Sequence, residues 1–186
     1  MRENSTSNAK HSAATNILIK AIAFAAHKHR FQTRKDVDES PYINHPIGLA
    51  DVLANEAGVE DERALIAAVL HDTIEDTQTS EQELTRLFGK EIADIVLEVS
   101  DNKSLPKAER KRLQIEHAPT LSRRAKLVKL ADKICNLRDV ASSPPVDWSL
   151  ERKREYFDWA KAVVDGLRGI HPELERIFDE AYKLRP

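Results

Sequence analysis

Cysteine, long apolar runs and the features of a signal peptide are scarce or missing in this sequence. Its 186 residues include a single cysteine, Cys135, which has no disulfide partner within the chain and fits a reducing compartment. No apolar run approaches the roughly 18 residues that a membrane-spanning helix needs, and the polar N-terminus lacks the apolar segment of a secretory signal. We therefore expect a soluble, cytoplasmic protein with no membrane partner.

An excess of charge of one sign is missing as well. The chain has 29 basic and 31 acidic residues, which gives a formal net charge of −2. Balanced charge provides no overall field that would capture a nucleic acid, so we expect no such partner. Any basic binding surface has to be local.

Strand patterns are the third absence, because no segment alternates apolar and polar residues over a sustained stretch. Apolar positions instead recur at helical spacing, between residues typical of helix caps. Among these caps are Ser122 and a predicted capping box formed by Ser80 and Glu83. We predict an all-α fold, a single helical bundle of eight or nine helices. Residues 1–15 are polar and are predicted to form a disordered lead, so the domain covers residues 16–186. The predicted helices span about residues 16–29, 45–58, 60–70, 80–89, 91–99, 106–117, 122–140, 149–167 and 172–184.

The most informative stretch runs from residue 70 to residue 77, where four polar groups directly follow an apolar helix. These groups are His71, Asp72, Glu75 and Asp76. If the helix continues for one turn, His71 and Glu75 share one face, and so do Asp72 and Asp76. Glu75 and Asp76 could then accept a proton from a water held by the first pair, although carboxylates that only cap a helix remain an alternative. Burying this much charge costs on the order of several kcal/mol, so we expect a cationic group nearby.

Two further side chains complete a set of metal ligands. His45 stands at a helix start after a polar loop, and Asp132 lies within a helix that also carries an apolar stripe. The predicted buried stripe of that helix is Leu127, Leu130, Ile134 and Leu137. Three helices can thus offer His45, His71, Asp72 and Asp132 to one point. Two imidazoles and two carboxylates suit Mn, Fe or Zn better than Ca, which prefers oxygen ligands. For each residue alone, a helix cap or a surface ion pair is an alternative role.

Basic residues are concentrated at two places, around residues 34–35 and between residues 103 and 112. A phosphorylated substrate needs such cations, because its negative oxygens repel a nucleophile. Arg34 has a second use, since its planar guanidinium can stack on a purine. Most of the later cluster fits a solvated helix face equally well.

These residues lie in five short sequence motifs, and two further motifs, at residues 105–107 and 155–157, extend the pattern. With them the sequence resembles the HD-domain metal-dependent phosphohydrolases. More narrowly, it resembles the hydrolase domain of the RelA/SpoT group in its small stand-alone metazoan form. The resemblance covers about residue 16 to the end. The five motifs are Thr33-Arg34-Lys35, Pro41-Tyr42-Ile43-Asn44-His45-Pro46, Leu70-His71-Asp72-Thr73-Ile74-Glu75-Asp76-Thr77, Lys129-Leu130-Ala131-Asp132-Lys133 and Asn136-Leu137-Arg138-Asp139.

The resemblance implies an all-helical fold and a specific reaction. That reaction is hydrolysis of guanosine 3′,5′-bis(diphosphate), a stringent-response alarmone, with release of pyrophosphate from the 3′ position. Mn²⁺ is the implied metal, with Fe or Zn as alternatives. The implied metal ligands are His45, His71, Asp72 and Asp132, and the implied catalytic residues are Glu75 and Asp76. The implied substrate contacts are Arg34, Lys35, Lys107, Asn136, Arg138 and Tyr156.

Two other functions compete with this hypothesis. The same site could act as a phosphatase on another phosphorylated nucleotide such as NADPH, because an arginine loop and a metal do not by themselves select guanine. A non-catalytic nucleotide-sensing module is the third hypothesis, although the complete set of acidic and histidine residues argues against it. A small nucleotide is the expected partner, and a homodimer is left open.

One position departs from the pattern of the family. Glu39 stands two residues before the Pro41-Tyr42 pair, where many relatives have glycine. A side chain there restricts the backbone of the loop and adds a negative charge beside a polyanionic ligand.

Overall fold

A computed structural model describes the backbone of residues 3–186 and the side-chain environment of residues 15–186. Within this range there are nine helices of eight residues or more and no β-strand. Three shorter helical segments are a single α-helical turn, a π-helical turn at Val52–Glu56 that continues the second helix, and a 3₁₀ turn at Ala118–Thr120. The predicted all-α fold is confirmed. None of these helices is both long and apolar enough to cross a bilayer. The helices are α1 (Glu3–Lys28), α2 (Asn44–Asp51), α3 (Glu62–Leu70), α4 (Thr73–Asp76), α5 (Glu81–Phe88), α6 (Lys90–Val99), α7 (Lys107–His117), α8 (Arg123–Ser142), α9 (Leu150–Asp165) and α10 (Pro172–Tyr182).

Helix α8 lies at the centre of the bundle and packs against α2, α3, α6, α9 and α10. Ser122 caps its start, because the side chain accepts a hydrogen bond from the backbone N–H of Ala125. The predicted apolar stripe is entirely buried. Burial of this stripe fixes the rotation of α8 about its axis and therefore the direction of its polar residues. The stripe consists of Leu127, Leu130, Ile134 and Leu137.

Helix α3 is the apolar helix that precedes the polar stretch. Asp61 caps it by accepting hydrogen bonds from the N–H groups of Arg63 and Ala64. The helix ends at Leu70, where its predicted end lies, and a turn at residues 71–72 leads into the short α4. The Thr73 hydroxyl donates to the Leu70 carbonyl at 2.7 Å, which replaces a bond of the helical ladder. The single face that a continued helix would have given His71 and Glu75 is therefore interrupted.

The first helix is longer than predicted. The sequence predicts a disordered lead up to residue 15, but α1 begins at Glu3. Once the packed part of the helix has formed, each added residue gains a hydrogen bond without a new nucleation step, so the helix can extend through polar residues. Residues 1 and 2 lie outside the described range, and the domain boundary at residue 16 stays a prediction.

The capping box predicted before α5 forms only in part. The side chain of Ser80 accepts a hydrogen bond from the backbone N–H of Glu83 at 3.1 Å, as predicted. The Glu83 carboxylate instead accepts a hydrogen bond from Lys28 of α1 at 2.8 Å. The ion pair ties α5 to the end of the first helix.

The central position of α8 gives a first prediction. Leu130→Ala should lower the free energy of unfolding by about 2–5 kcal/mol, because it leaves a cavity where a fully buried side chain packs. Urea denaturation measures the change. Leu184→Ala removes the same atoms from a side chain that is 52% exposed and should change stability by less than about 0.5 kcal/mol. Equal losses in the two variants would contradict the assigned core.

Candidate metal and nucleotide site

Four side chains from three parts of the chain meet beside α8. His45 lies in the first turn of α2, His71 and Asp72 occupy the turn between α3 and α4, and Asp132 lies in the middle of α8. His45 Nε2 is 3.3 Å from Asp132 Oδ1. His71 Nε2 is 2.9 Å from Asp72 Oδ2 and 4.0 Å from Asp132 Oδ1. The four residues that the sequence assigns as ligands are therefore neighbours.

The arrangement fits a divalent cation. Ligand atoms of His45, His71 and Asp72 all lie within 4.8 Å of one another. His71 Nδ1 bonds the Ala68 carbonyl at 2.9 Å, which leaves Nε2 as the nitrogen that faces the carboxylates. Asp72 Oδ2 lies 2.9 Å from that buried Nε2, but among the described residues no group makes a well-aligned hydrogen bond to it. A cation bound between the imidazoles and the carboxylates would satisfy it, since neutral imidazole and carboxylate are common ligands of transition metals.

The charge state of the cluster follows from its burial. Burial lowers the pKa of His45, with Arg34 and His71 acting in the same direction. Burial acts likewise on His71, but the carboxylates of Asp72 and Asp132 outweigh it and raise the pKa of His71 to about 8. Binding of a metal at Nε2 would displace this proton, so metal affinity is coupled to pH.

A second layer of polar groups holds the two aspartates. Lys133 donates to Asp132 Oδ2 at 2.9 Å, and Asn136 donates to Asp132 Oδ1 at 2.6 Å. Burial would raise the pKa of Asp132, but Lys133 and His45 hold it well below its usual value. The hydroxyl of Tyr42 donates to Asp72 Oδ2. The buried Lys133 is the kind of cationic group that so much buried negative charge requires.

Glu75 and Asp76 point to different neighbours. Glu75 Oε2 accepts a hydrogen bond from the backbone N–H of Asp101 at 2.9 Å, and Glu75 Oε1 is 3.7 Å from Arg110. Asp76 Oδ2 accepts from the Tyr42 hydroxyl at 3.2 Å. Burial, together with the carboxylates of Asp101, Asp72 and Asp76, raises the pKa of Glu75 above its ordinary value. A raised pKa brings the Glu75 carboxyl closer to the range in which a general acid or base works.

Two adjoining cavities open at this place. The smaller, of about 180 Å³, is lined by the ligand cluster together with Glu75 and Lys129. The larger, of about 410 Å³, lies beside it and includes Lys35, Asp139 and Tyr156 in its wall. The larger volume is in the range of cavities that hold small molecules. Both cavities share the side chains of Arg34, Tyr42, Asp76 and Asn136.

The predicted substrate contacts divide into two groups. Arg34, Lys35, Asn136 and Tyr156 line the larger cavity. Arg138 lines neither cavity; it forms a two-pronged ion pair with Glu56 at 2.6 and 2.8 Å. Lys107, at the start of α7, also lies outside both cavities. Burial lowers the pKa of Lys107, and the nearby charges of Arg152, Lys35 and Arg110 act in the same direction.

Several residues of the site were not predicted from the sequence to have a role there. Tyr42 joins Asp72 to Asp76 through its hydroxyl, Asp139 holds Arg34 at 2.5 Å, and Trp148 lines the larger cavity. Tyr42 and Asp139 lie inside two of the five motifs, which is the signal that could have found them. Trp148 follows a proline-rich break and carries no such signal.

The loop position that departs from the family pattern is also strained. Glu39 has φ +48°, the only positive value among the non-glycine residues that the structure describes. A left-handed backbone costs a side-chain-bearing residue about 1 kcal/mol or more, and glycine avoids this cost. Glu39 is exposed and lines neither cavity.

Comparison with known proteins places this site in a family. The profile of a family described as "HD domain" matches residues 21–158. The guanosine-3′,5′-bis(diphosphate) 3′-pyrophosphohydrolase MESH1 of Xenopus tropicalis is 52% identical over 166 residues, which cover 89% of this chain and 93% of the relative. The Homo sapiens protein of the same name is 53% identical over 168 residues, or 90% of this chain and 94% of the relative.

A solved structure shows the same likeness. It is described as a metazoan orthologue of SpoT that hydrolyses ppGpp and plays a role in starvation responses. Its sequence is 50% identical, and its fold superposes with a TM-score of 0.88 over 91% of this chain and 95% of that one.

The cluster gives a second prediction. Asp72→Ala should abolish binding of Mn²⁺, used as the probe cation, because it removes a ligand and leaves His71 without its carboxylate. For the wild type, Mn²⁺ at 100 times its Kd should add about 2.7 kcal/mol of stability, seen as a rise in Tm. Elemental analysis after dialysis measures the bound metal directly.

Asp94→Ala is the matched control, since this aspartate lies on α6 and pairs only with Lys90 in an exposed ion pair. The control should bind as much Mn²⁺ as the wild type. Uptake of a full equivalent by Asp72→Ala would contradict the site.

Proposed function

The chain belongs to the HD-domain family, and we propose that within it this protein hydrolyses guanosine 3′,5′-bis(diphosphate) and releases the 3′ diphosphate as pyrophosphate. The most similar relatives described above bear the name of this activity. The observation that supports the proposal most strongly is that Asp76 and Asn136 line both cavities. A nucleotide in the larger cavity can thereby present one phosphoryl group to the ligand cluster.

In this proposal the ligands of the metal ion are His45, His71, Asp72 and Asp132. When bound, a divalent ion acidifies water and withdraws charge from a phosphoryl oxygen. We propose Mn²⁺, with Fe or Zn as alternatives, because the donor set is mixed nitrogen and oxygen. Lys133 and Asn136 keep Asp132 in its ionised form and in one orientation.

Glu75 and Asp76 are the proposed catalytic residues. Glu75 takes a proton from the attacking water, and its raised pKa suits that role because a base works best near the operating pH. Asp76 stands between the two cavities, where it can orient the water relative to the phosphoryl group. Tyr42 lies against Asp76 on one side, since its single hydroxyl proton is shared between the nearer Asp72 Oδ2 and Asp76 Oδ2 at 3.2 Å.

The rest of the nucleotide is assigned to the larger cavity. Arg34 is held by Asp139 at 2.5 Å and by the Asn136 side-chain oxygen at 3.2 Å, so its planar guanidinium is fixed and can stack on a purine. Lys35 and Tyr156 supply a positive charge and an aromatic wall. Lys107 and Arg138 line neither of the two cavities and are therefore the less direct of the proposed contacts. A cytoplasmic location and a homodimer stay predictions.

The reaction itself gives a third prediction. Purified protein loaded with Mn²⁺ should release pyrophosphate, and not orthophosphate, from guanosine 3′,5′-bis(diphosphate). Ion chromatography separates the two products. NADPH, incubated in parallel, tests the alternative phosphatase, which would release orthophosphate from the 2′ position. Binding of the nucleotide without any product would support the sensing module and end the proposal.

The role of Glu75 gives a fourth prediction. Glu75→Gln should keep the bound Mn²⁺ but lower kcat by about 10²–10⁴-fold, because a positioned base is lost and no ligand is removed. The wild type should lose activity as the pH falls through the pKa of Glu75, since only the ionised carboxylate accepts a proton. That decline should begin above the pH range of an ordinary glutamate and should be missing in the variant.

Asp101→Asn is a useful comparison, because it leaves Glu75 in place and removes one of the negative charges that raise the pKa of Glu75. Its acidic decline should move to lower pH. A Glu75→Gln variant as active as the wild type would disprove the role of Glu75.

A further inference from the structure

Lys103, in the loop between α6 and α7, contacts both proposed catalytic carboxylates. Its Nζ donates to Asp76 Oδ1 and lies 3.8 Å from Glu75 Oε1. The side chain is 50% exposed, so the ammonium group sits at the surface of the site and is not packed into the core. The sequence shows this lysine only as one of several basic residues between residues 103 and 112.

A phosphate group bound here would compete with Asp76 for the ammonium group of Lys103. Asp76 has both oxygens engaged, Oδ1 by Lys103 and Oδ2 by Tyr42. A carboxylate neutralised by an ammonium group is a weaker proton acceptor. The proposed substrate brings several negative charges toward Asp72, Glu75 and Asp76. Negative charges brought so close together repel one another strongly unless a cation lies between them.

Lys103 is the cation best placed to reduce this repulsion between the substrate and the carboxylates. Arg110 is 3.7 Å from Glu75 and 3.9 Å from Asp101, and its side chain is 25% exposed. Lys129 is buried and donates to the Val99 carbonyl at 2.8 Å. These two cations are held by the fold. A lysine in a loop has a flexible stem and three donors, so its ammonium can change partners without a change in the helices.

We propose that Lys103 is a substrate-positioning residue that exchanges Asp76 for the 3′-diphosphate group when the nucleotide binds. In the free protein Lys103 neutralises the acidic pair. In the complex it neutralises the diphosphate, and Asp76 is left without its counter-ion at the moment the substrate is seated. This inference rests on the proposed function, because it assigns the 3′-diphosphate to the side of Asp76.

The experiment compares two ligands that differ only in the 3′ group. Calorimetric titration measures the affinity for guanosine 3′,5′-bis(diphosphate) and for GDP. The protein titrated is the Mn²⁺-loaded Glu75→Gln variant, whose expected loss of kcat by about 10²–10⁴-fold slows turnover during the titration. Adding Lys103→Ala should weaken binding of the bis(diphosphate) by roughly 10- to 100-fold, the size of a charge-assisted hydrogen bond. GDP affinity should not change. Lys103→Arg, which keeps the charge, should restore most of the lost affinity.

Lys90→Ala is the matched control, because Lys90 is an exposed lysine paired with Asp94. It should leave both affinities unchanged. An equal loss for both ligands, or no loss for either, would overturn the proposal, since a merely structural role of Lys103 would not distinguish the 3′ group.

The outcome also separates this inference from the proposed function. If the Glu75→Gln protein binds the bis(diphosphate) but the wild type releases no pyrophosphate, the hydrolase proposal fails while the ratio of affinities still decides the role of Lys103. If the bis(diphosphate) does not bind at all, both proposals are overturned.

Discussion

The compensated burial of charge beside α8 is the constraint on which the site depends. Two imidazoles and two carboxylates meet where α2, the α3–α4 turn and α8 converge, and both histidines are buried. Such a cluster is stable only if cations balance it, because an unpaired buried charge costs several kcal/mol, on the order of 3–5. Lys133 supplies one cation from within the protein. The negative charge that remains is that of the carboxylates, and a metal ion bound between them and the two imidazoles would balance it.

The break between α3 and α4 connects the fold to this chemistry. An uninterrupted helix would present histidine and glutamate on one face, and the same environment would then act on both. The turn at residues 71–72 separates them: His71 and Asp72 face α8, while Glu75 reaches the loop at Asp101 and Asp76 reaches Tyr42. The proposed roles of metal ligation and proton transfer thereby fall to neighbouring side chains with different surroundings. The raised pKa of Glu75 is a direct result, since burial and nearby carboxylates act on it together.

The cations of the site fall into two classes by how firmly they are held. Arg34, Lys129 and Lys133 have partners within the fold and lie mostly buried. Lys103 and Lys107 lie on the segment from the end of α6 to the start of α7, and α7 buries none of its side chains. A polyanionic ligand would therefore contact firmly held positive charges on the side of α8 and more flexible positive charges on the side of α7. This division suits a site that must hold a nucleotide and also release products, because a flexible lysine loses less by giving up its partner.

The sequence by itself determined the helices and the chemistry of the cluster. Helical periodicity and caps such as Ser122 are local, and so they are readable without a structure; the buried stripe of α8 matched its prediction. The histidines and aspartates were found because their types and order in the chain are distinctive. Two features followed only from the tertiary structure: the joining of Asp72 and Asp76 by Tyr42, and the ion pair that holds Arg138 away from the cavities. Each depends on which distant groups compete for the same hydrogen bond or charge, and no local pattern encodes that competition.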